Sequence, residues 1–188
     1  MKSNLRIFNQ ILALTVLTLS VSASLAAAVP QVGEAAADFT LNTLDGRAIA
    51  LKDETAKQPV VLVVLRGWPG YQCPVCTKQV HNFVEKAAEF SGKATVLMVY
   101  PGPAEKLKEH AAEFLKDKNW PKDFVFVTDP DYTFTKAYGL RWDAAGETAY
   151  PSTFIVDKTG KVRFAKISKD HGGRSNVPEL IKALGETK

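Results

Sequence analysis

The feature that most constrains the fold is a pair of cysteines, Cys73 and Cys76, placed between a buried strand and an amphipathic helix. They are the only two cysteines of the 188 residues, and their spacing is C-x-x-C. Residues 59–65, just before them, are a proline followed by valines and leucines, which predicts a strand buried on both faces. After them, apolar residues recur at the spacing of an amphipathic helix: Val80, Phe83, Val84, Ala87 and Ala88.

A cysteine at such a strand-to-helix junction is favoured in its thiolate form. Pro74 is expected at or near the first helical position, where its missing N–H costs nothing. Unpaired backbone N–H groups and the helix dipole stabilise negative charge there. Cysteines in this setting commonly have a pKa of roughly 3.5 to 7.5. The sequence therefore predicts a redox-active pair with Cys73 and Cys76 as the catalytic residues.

Two other interpretations of the pair stay open. A static structural disulfide is the first, although a bridge that closes so short a loop restricts the unfolded chain little. Half of a zinc site is the second, although a closed site needs four ligands and no second ligand motif accompanies His81, His110 and His171. Redox chemistry is preferred over both, and no metal or organic cofactor is expected.

The first 28 residues have the layout of a secretory signal peptide. Lys2 and Arg6 form a basic start, residues 11–21 are apolar, and small residues allow cleavage after Ala26 or Ala28. The apolar run is short for a membrane span, although an uncleaved anchor stays possible. We expect export, to a bacterial periplasm, with no stable membrane association after cleavage. There a C-x-x-C pair is oxidised unless a partner reduces it.

Residues 29–188 are then expected to form a single domain of about 160 residues. Removing Lys2 and Arg6 lowers the formal net charge from +4 to +2. The remaining positive charge is spread out and forms no basic block. Nucleic acid is therefore not an expected partner.

The order of elements along this domain predicts an α/β sandwich. A hairpin is expected at Asp45–Gly46, and the dithiol helix is expected to end near Ser91–Gly92. The remaining elements are a strand at 95–100, a helix at 104–117, a strand at 124–127, a helix at 132–138, a strand from Pro151, its hairpin partner at 161–167 and a helix at 177–184. Strands that alternate with helices before a closing hairpin indicate a mixed central sheet flanked by helices.

With these elements the chain resembles the thioredoxin fold and, in detail, the alkyl hydroperoxide reductase/thiol-specific antioxidant, or peroxiredoxin-like, family. The resemblance covers nearly all of residues 29–188. It is carried by Asp38-Phe39-Thr40-Leu41 with Asp45-Gly46, by Tyr138-Gly139-Leu140, and by Thr153-Phe154-Ile155-Val156-Asp157 with Gly160-Lys161. It implies a thioredoxin-like three-layer sandwich with an N-terminal β-hairpin.

The family signature P-x-x-x-T-x-x-C is matched with one change. Pro69 takes the proline and Cys76 the peroxide-attacking cysteine, while Cys73 stands in place of the threonine that orients the peroxide. The family's thiolate-stabilising arginine, just before the strand that begins at Thr153, is replaced by Pro151. Through space, Arg66, Arg141 or Arg174 are the candidates to supply its charge.

Both changes make the chain similar to thioredoxin itself. In that resemblance Cys73 is the exposed attacking cysteine and Cys76 its resolving partner. It also implies a cis bond between Tyr150 and Pro151, beside the dithiol, with backbone groups offered to a docking chain. A trans proline at the first residue of a strand is the alternative.

Other residues near the pair receive structural interpretations. Trp68 and Tyr71 are expected to shield the thiols and to shape a docking surface. His110 is expected to be a partly buried structural histidine. The polar loop His171-Gly172-Gly173-Arg174 is interpreted as a solvated turn in preference to a patch that faces the thiolate.

Three functions remain open at this point. The first is an exported thiol-dependent antioxidant oxidoreductase that reduces hydroperoxides through Cys76 and Cys73. The second is a thiol–disulfide oxidoreductase that acts on exported proteins through Cys73. In both, the expected partners are the substrate, a hydroperoxide or a protein disulfide, and a thiol reductant protein. The third is a non-catalytic binding module with an inert disulfide.

Overall fold

The computed structural model describes residues 28–186. The predicted signal peptide lies outside these residues except for Ala28. The strands are β1 (Thr40–Thr43), β2 (Ala48–Ala50), β3 (Val60–Val64), β4 (Thr95–Gly102), β5 (Phe124–Pro130), β6 (Ser152–Val156) and β7 (Val162–Ile167). They form one sheet in the order β2-β1-β5-β4-β3-β6-β7. β4 pairs in parallel with β3 and β5, and the other pairings are antiparallel. The predicted mixed sheet is confirmed.

Helices cover both faces of the sheet. They are α1 (Leu51–Thr55), α2 (Pro74–Glu85), α3 (Leu107–Leu115), α4 (Thr133–Ala137) and α5 (Val177–Gly185). Helices α2, α3 and α5 pack with one face of the sheet in a hydrophobic cluster that includes both cysteines. Helices α1 and α4 contribute to the cluster on the other face. The three-layer arrangement agrees with the prediction.

The central strand β3 shows why the sequence produces these layers. Its five residues are all fully buried. Val61 and Val63 belong to the cluster around α2, whereas Val60, Leu62 and Val64 belong to the opposite cluster. Because successive side chains of a strand point to opposite faces, an uninterrupted apolar run is what a sheet covered on both sides requires.

The predicted helix boundaries are partly wrong. The dithiol helix ends at Glu85 and is followed by a 3₁₀ turn, Ala87–Glu89, before Gly92. The helix predicted at 104–117 is shorter, because the Ala104 N–H bonds the Asp131 carboxylate and Lys106 has a positive φ of 54°. Helix α1 was not predicted, since five residues are too few to show a helical period. No helix among residues 28–186 is long and apolar enough to cross a membrane.

The core predicts the effect of truncating one of its side chains. Leu97, in the middle of β4, is fully buried between two strands. Leu97→Ala is expected to lower the free energy of unfolding by about 2–5 kcal/mol, from lost burial and the cavity left behind. Val32 is 61% exposed, so Val32→Ala is expected to change the free energy of unfolding by less than about 0.5 kcal/mol. Urea denaturation measures both, and equal losses would contradict the assigned core.

Candidate active site

The segment between β3 and α2 leads to the two cysteines and is hydrogen-bonded to the last residues of β4. The Leu65 N–H bonds the Val99 carbonyl at 3.0 Å, and the Trp68 N–H bonds the Pro101 carbonyl at 2.9 Å. Gly67 lies between them with a φ of 74°, and a Cβ there would lie 1.9 Å from the Pro101 oxygen. Any side chain at this position would therefore displace the segment that precedes the thiols.

Cys73 is the N-cap of α2, and the helix begins at Pro74. The Cys73 carbonyl accepts the Thr77 N–H at 3.0 Å. The thiol and the backbone N–H of the neighbouring Cys76 both favour the Cys73 thiolate and lower its pKa. The dithiol thus lies at the positive end of a helix, as the sequence predicts.

Both cysteines are free thiols in this structure, and both are buried. Their exposed fractions are 2% for Cys73 and 0% for Cys76. The expectation of an exposed Cys73 is therefore wrong for this state. The reason is that both cysteines belong to the hydrophobic cluster between α2 and the sheet, and Nη1 of Arg174 lies 3.4 Å from the Cys76 sulfur.

The surroundings divide the two thiols into an acidic one and a weakly acidic one. The pKa of Cys73 is lowered to about 5 by hydrogen bonds from the thiol and the backbone N–H of Cys76, by the charge of Arg174 and by Arg66. Burial raises the pKa of Cys76 well above its ordinary value, and the neighbouring Cys73 raises it further. The anion of the pair therefore resides on Cys73, and Cys76 keeps its proton.

Arg66 reaches Cys73 from the end of β3 and is held by a network. It is only 3% exposed. Its Nε donates to the Glu147 carboxylate at 2.6 Å, Nη1 to the Tyr71 hydroxyl at 2.6 Å and Nη2 to the Gly146 carbonyl at 2.7 Å. Because a buried guanidinium needs a charged partner and filled donors, these contacts make its position beside Cys73 stable.

Glu147 connects this network to the loop that follows β7. Its second oxygen lies 2.9 Å from Nε2 of His171. The hydrogen bonds from Arg66 and His171 outweigh partial burial, and the pKa of Glu147 is lowered. Nothing in the sequence indicates Glu147, because it is an ordinary acidic loop residue about 80 positions from Arg66.

Arg174 holds the same loop against α2. Its Nη1 lies 3.4 Å from the Cys76 sulfur and 2.8 Å from Oε1 of Gln79. Its Nε donates to the His171 carbonyl at 3.0 Å. Residues 171–173 are exposed, as a solvated turn predicts, whereas Arg174 is half-buried and faces the dithiol, as the alternative predicts. The chain returns to the dithiol here because Thr153 and Ser175 are hydrogen-bonded at 2.6 Å.

The family model described as Redoxin matches residues 31–184. The chain belongs to the Redoxin family. Its curated relatives include the chloroplastic peroxiredoxin Q of Oryza sativa subsp. japonica, 29% identical over 81% of this chain. A thiol peroxidase of Leptospira interrogans is 27% identical over 82% of this chain and 88% of its own length. The match spans 65% of the length of the rice protein. The predicted peroxiredoxin-like family is confirmed, and these names belong to thiol-dependent oxidoreductases, the predicted enzyme class.

Solved structures show the same fold as this redoxin. A peroxiredoxin-like protein from Aquifex aeolicus has a TM-score of 0.70 and 20% identity, over 85% of this chain and 89% of its own. Peroxidoxin BcpB from Mycobacterium tuberculosis has a TM-score of 0.66 and 22% identity, over 85% of this chain and 99% of its own. The predicted thioredoxin-like sandwich is confirmed.

The structure separates the three candidates for the missing arginine of the redoxin. Nη1 of Arg174 lies 3.4 Å from the Cys76 sulfur, and Arg66 helps to lower the pKa of Cys73. Arg141 does not belong to the site: its Nη1 donates to the carbonyls of Trp142, Glu147 and Thr148, and its guanidinium lies over the Tyr132 ring at 4.2 Å. The assignment of Arg141 to the thiolate environment is wrong, because the guanidinium closes the turn of its own loop.

The remaining predicted residues surround the dithiol. Trp68, which precedes Pro69, is half-buried and stacks on His110 with ring centroids 3.6 Å apart. His110 is itself half-buried, in agreement with a structural role. Tyr71 is 49% exposed, so it contacts Arg66 through its hydroxyl without covering the thiols.

Gln72 and Tyr100 are neighbours of the dithiol that the sequence did not reveal. The Tyr100 hydroxyl donates to Oε1 of Gln72 at 2.9 Å, and Nε2 of Gln72 donates to the His110 carbonyl at 2.8 Å. Burial, together with the nearby cysteines, raises the pKa of Tyr100. A neutral hydroxyl therefore fixes the residue before Cys73. In the sequence, Tyr100 lies in an apolar strand and cannot be distinguished from an ordinary core residue.

Pro151 directly precedes β6, and its carbonyl accepts the Ser168 N–H at 2.9 Å. Tyr150 stacks on Trp142 with ring centroids 4.9 Å apart. No peptide bond within residues 28–186 is cis, so the cis bond implied by the thioredoxin resemblance is wrong.

Within the same residues, no group of three or more His, Cys, Asp or Glu side chains is arranged to hold a metal ion.

The division between the two thiols predicts a titration. Thiolate absorbance at 240 nm is expected to rise with a midpoint near pH 5, because Cys73 is protonated below its folded pKa and anionic above it. Cys76→Ser keeps a hydroxyl donor and is expected to retain this step, whereas Cys73→Ser is expected to lose it. Arg66→Gln is expected to move the midpoint to higher pH, because a cation beside the thiolate is removed. A step that survives in Cys73→Ser would refute the assignment.

Proposed function

We propose that this redoxin is a thiol peroxidase that reduces hydroperoxides by cycling Cys73 and Cys76 between dithiol and disulfide. The observation that carries the proposal is the position of Cys73 as the N-cap of α2, where Cys76, Arg174 and Arg66 lower the pKa of its thiol. A thiolate, and not a thiol, is the nucleophile in such chemistry. The names peroxiredoxin and thiol peroxidase among the relatives support a peroxide as the oxidant.

The first half of the cycle oxidises Cys73. Its thiolate attacks one peroxide oxygen, an S–O bond forms and the O–O bond breaks, and the departing oxygen leaves as water or an alcohol after taking a proton. The hydrogen-bonded Cys76 thiol is the nearest donor of that proton. The products are a sulfenic acid on Cys73 and a thiolate on Cys76.

The second half forms the disulfide and then reduces it. The Cys76 sulfur attacks Cys73, an S–S bond forms and the sulfenic oxygen leaves as water. Because Cys73 is the N-cap of α2 and Cys76 lies in its first turn, closure joins two residues of the same helix turn. A thiol reductant, such as the expected reductant protein, returns the pair to the dithiol. The family signature assigns the first attack to Cys76, but its burial and raised pKa favour Cys73.

Thiol–disulfide exchange on protein substrates is the second candidate function. The observation in its favour is Cys73 at the N-cap with Pro74 behind it, since an acidic C-x-x-C thiol also attacks disulfides. The same Cys73 thiolate would then form a mixed disulfide with the substrate, and Cys76 would resolve it. The two candidates differ in the electrophile, so kinetics with each substrate separate them.

Export to a periplasm is also part of the proposal. It is supported by the basic start, apolar run and small-residue cleavage sites of the first 28 residues. When the full chain is expressed in a bacterium, the periplasmic fraction is expected to contain a cleaved protein. Its mass is expected to match a chain that begins at Ala27 or Val29. Intact chain confined to the cytoplasmic fraction would refute export.

Stopped-flow kinetics with hydrogen peroxide test the catalytic proposal. Wild-type protein is expected to consume peroxide repeatedly when a thiol reductant is present. Cys76→Ser is expected to react once and stop, because it retains the nucleophile and lacks the resolving thiol. Cys73→Ser is expected to react about a hundredfold more slowly at pH 7, since a thiol with a pKa above about 9 is only about 1% ionised there.

Insulin reduction by the same three proteins provides the comparison. Disulfide reduction that depends on Cys73, without peroxide consumption, would replace the first proposal by the second. A first peroxide reaction that requires Cys76 and not Cys73 would reverse the assigned roles. Absence of turnover in both assays would leave the binding module with an inert bridge.

A further inference from the structure

A groove beside the dithiol is not used by the steps above. It has a volume of about 480 Å³ and runs between α2 and residues 174–176. The α2 groove, as we name it, has an apolar part formed by Val75 and Phe83. Its other lining residues are basic, amide-bearing, hydroxyl-bearing or acidic: Lys78, His81, Arg174, Gln79, Asn82, Asn176, Ser175 and Glu85. This volume lies in the range that accommodates small organic molecules.

The charges of the α2 groove favour an anionic ligand. Glu85 is already paired with His81 at 3.1 Å. Lys78 and Arg174 have no carboxylate within ion-pair distance among residues 28–186, and Nη2 of Arg174 is buried there without a hydrogen-bond partner. Two unpaired cations, one of them with an unused donor, are a recognition site for carboxylates.

The polar walls of the α2 groove favour a hydrophilic, peptide-like ligand. The Gln79, Asn82 and Asn176 side chains along it each carry both donors and acceptors, which match the N–H and C=O groups of a peptide. Val75, 38% exposed, is the apolar residue nearest in sequence to the cysteines. A long hydrocarbon chain would leave these amides without partners, and hydrogen peroxide would leave the groove empty.

Arg174 connects the α2 groove to the dithiol. Its Nη1 bonds the Cys76 sulfur at 3.4 Å, while the rest of the residue lines the groove. The Cys76 sulfur is a weak hydrogen-bond acceptor, both as a thiol and in a disulfide, so it holds this guanidinium less strongly than a carboxylate would. A carboxylate in the groove then competes for Arg174 and draws it away from the Cys76 sulfur that it covers.

We propose that the α2 groove binds a small, carboxylate-bearing, peptide-like thiol that reduces the Cys73–Cys76 disulfide by attacking Cys76. The inference rests on the proposed cycle of these two cysteines. The ligand's thiolate forms a bond with the Cys76 sulfur, the Cys73–Cys76 bond breaks, and the electron pair leaves on Cys73 beside Arg66. A second thiol attacks the mixed disulfide and releases Cys76, which takes up a proton. Two small thiols are oxidised to one disulfide, and the two protein thiols are restored.

The reduction rate of oxidised protein tests the ligand class. The full chain is oxidised with diamide, so the preparation does not depend on reactivity toward peroxide. Stopped-flow tryptophan fluorescence then follows reduction by glutathione, a peptide thiol with two carboxylates, and by its diethyl ester, which has none. Lys78→Gln is expected to lower the ratio of the two rates about fivefold, because a cation facing the carboxylates is lost. Lys93→Gln, an exposed lysine away from the groove, is expected to keep the wild-type ratio.

The position of the mixed disulfide tests the attacked sulfur. Acid quenching during reduction, followed by peptide mass spectrometry, is expected to find the glutathione adduct on Cys76. An adduct on Cys73, or a rate ratio that is the same in Lys78→Gln and Lys93→Gln, would overturn the inference. Failure of the reduced protein to react with peroxide would refute the proposed function instead, and it would leave these rates unchanged.

Discussion

The arrangement of the site depends on the interactions that stabilise the thiolate of Cys73. A buried anion is costly unless it is paired and hydrogen-bonded. Here the helix start supplies the Cys76 N–H, the end of β3 supplies Arg66, and the loop after β7 supplies Arg174. Two arginine cations and one thiolate would leave a net positive charge, and the Glu147 carboxylate beside Arg66 neutralises it. Four charges from separate parts of the chain thus form one nearly neutral group.

The coupling between the sulfurs assigns them different roles. Once Cys73 is anionic, a second negative charge within hydrogen-bond distance is strongly disfavoured, and Cys76 is also the more deeply buried. In the proposed cycle, one site therefore holds a nucleophile and a proton donor side by side. These are the two groups that a peroxide bond requires, because cleavage forms a strongly basic oxygen on the departing fragment.

The local part of this site could be predicted from the sequence, and the non-local part could not. The strand, the C-x-x-C and the helix are contiguous, so periodicity and Pro74 were enough to place the cysteines at a helix start. Glu147 and Arg174 lie in loops far along the chain, where composition indicates only solvated turns. Their positions depend on the order of β6 and β7 in the sheet and on single contacts such as Thr153 with Ser175. The exclusion of Arg141 also depends on its loop, whose carbonyls bind that side chain first.

One departure from the family signature, Pro151, is connected to Arg174 through the β6–β7 hairpin. Pro151 occupies the position of the family's arginine, and its carbonyl binds the N–H of Ser168, the first residue after β7. The loop that carries Arg174 therefore starts beside the residue that lost the charge. A guanidinium six residues further along this loop reaches the dithiol from the end of the neighbouring strand, while Arg66 serves the sulfur that replaced the threonine. The linear signature differs from this chain at two positions. In the folded chain, Arg66 and Arg174 supply positive charge to the dithiol from other positions in the sequence.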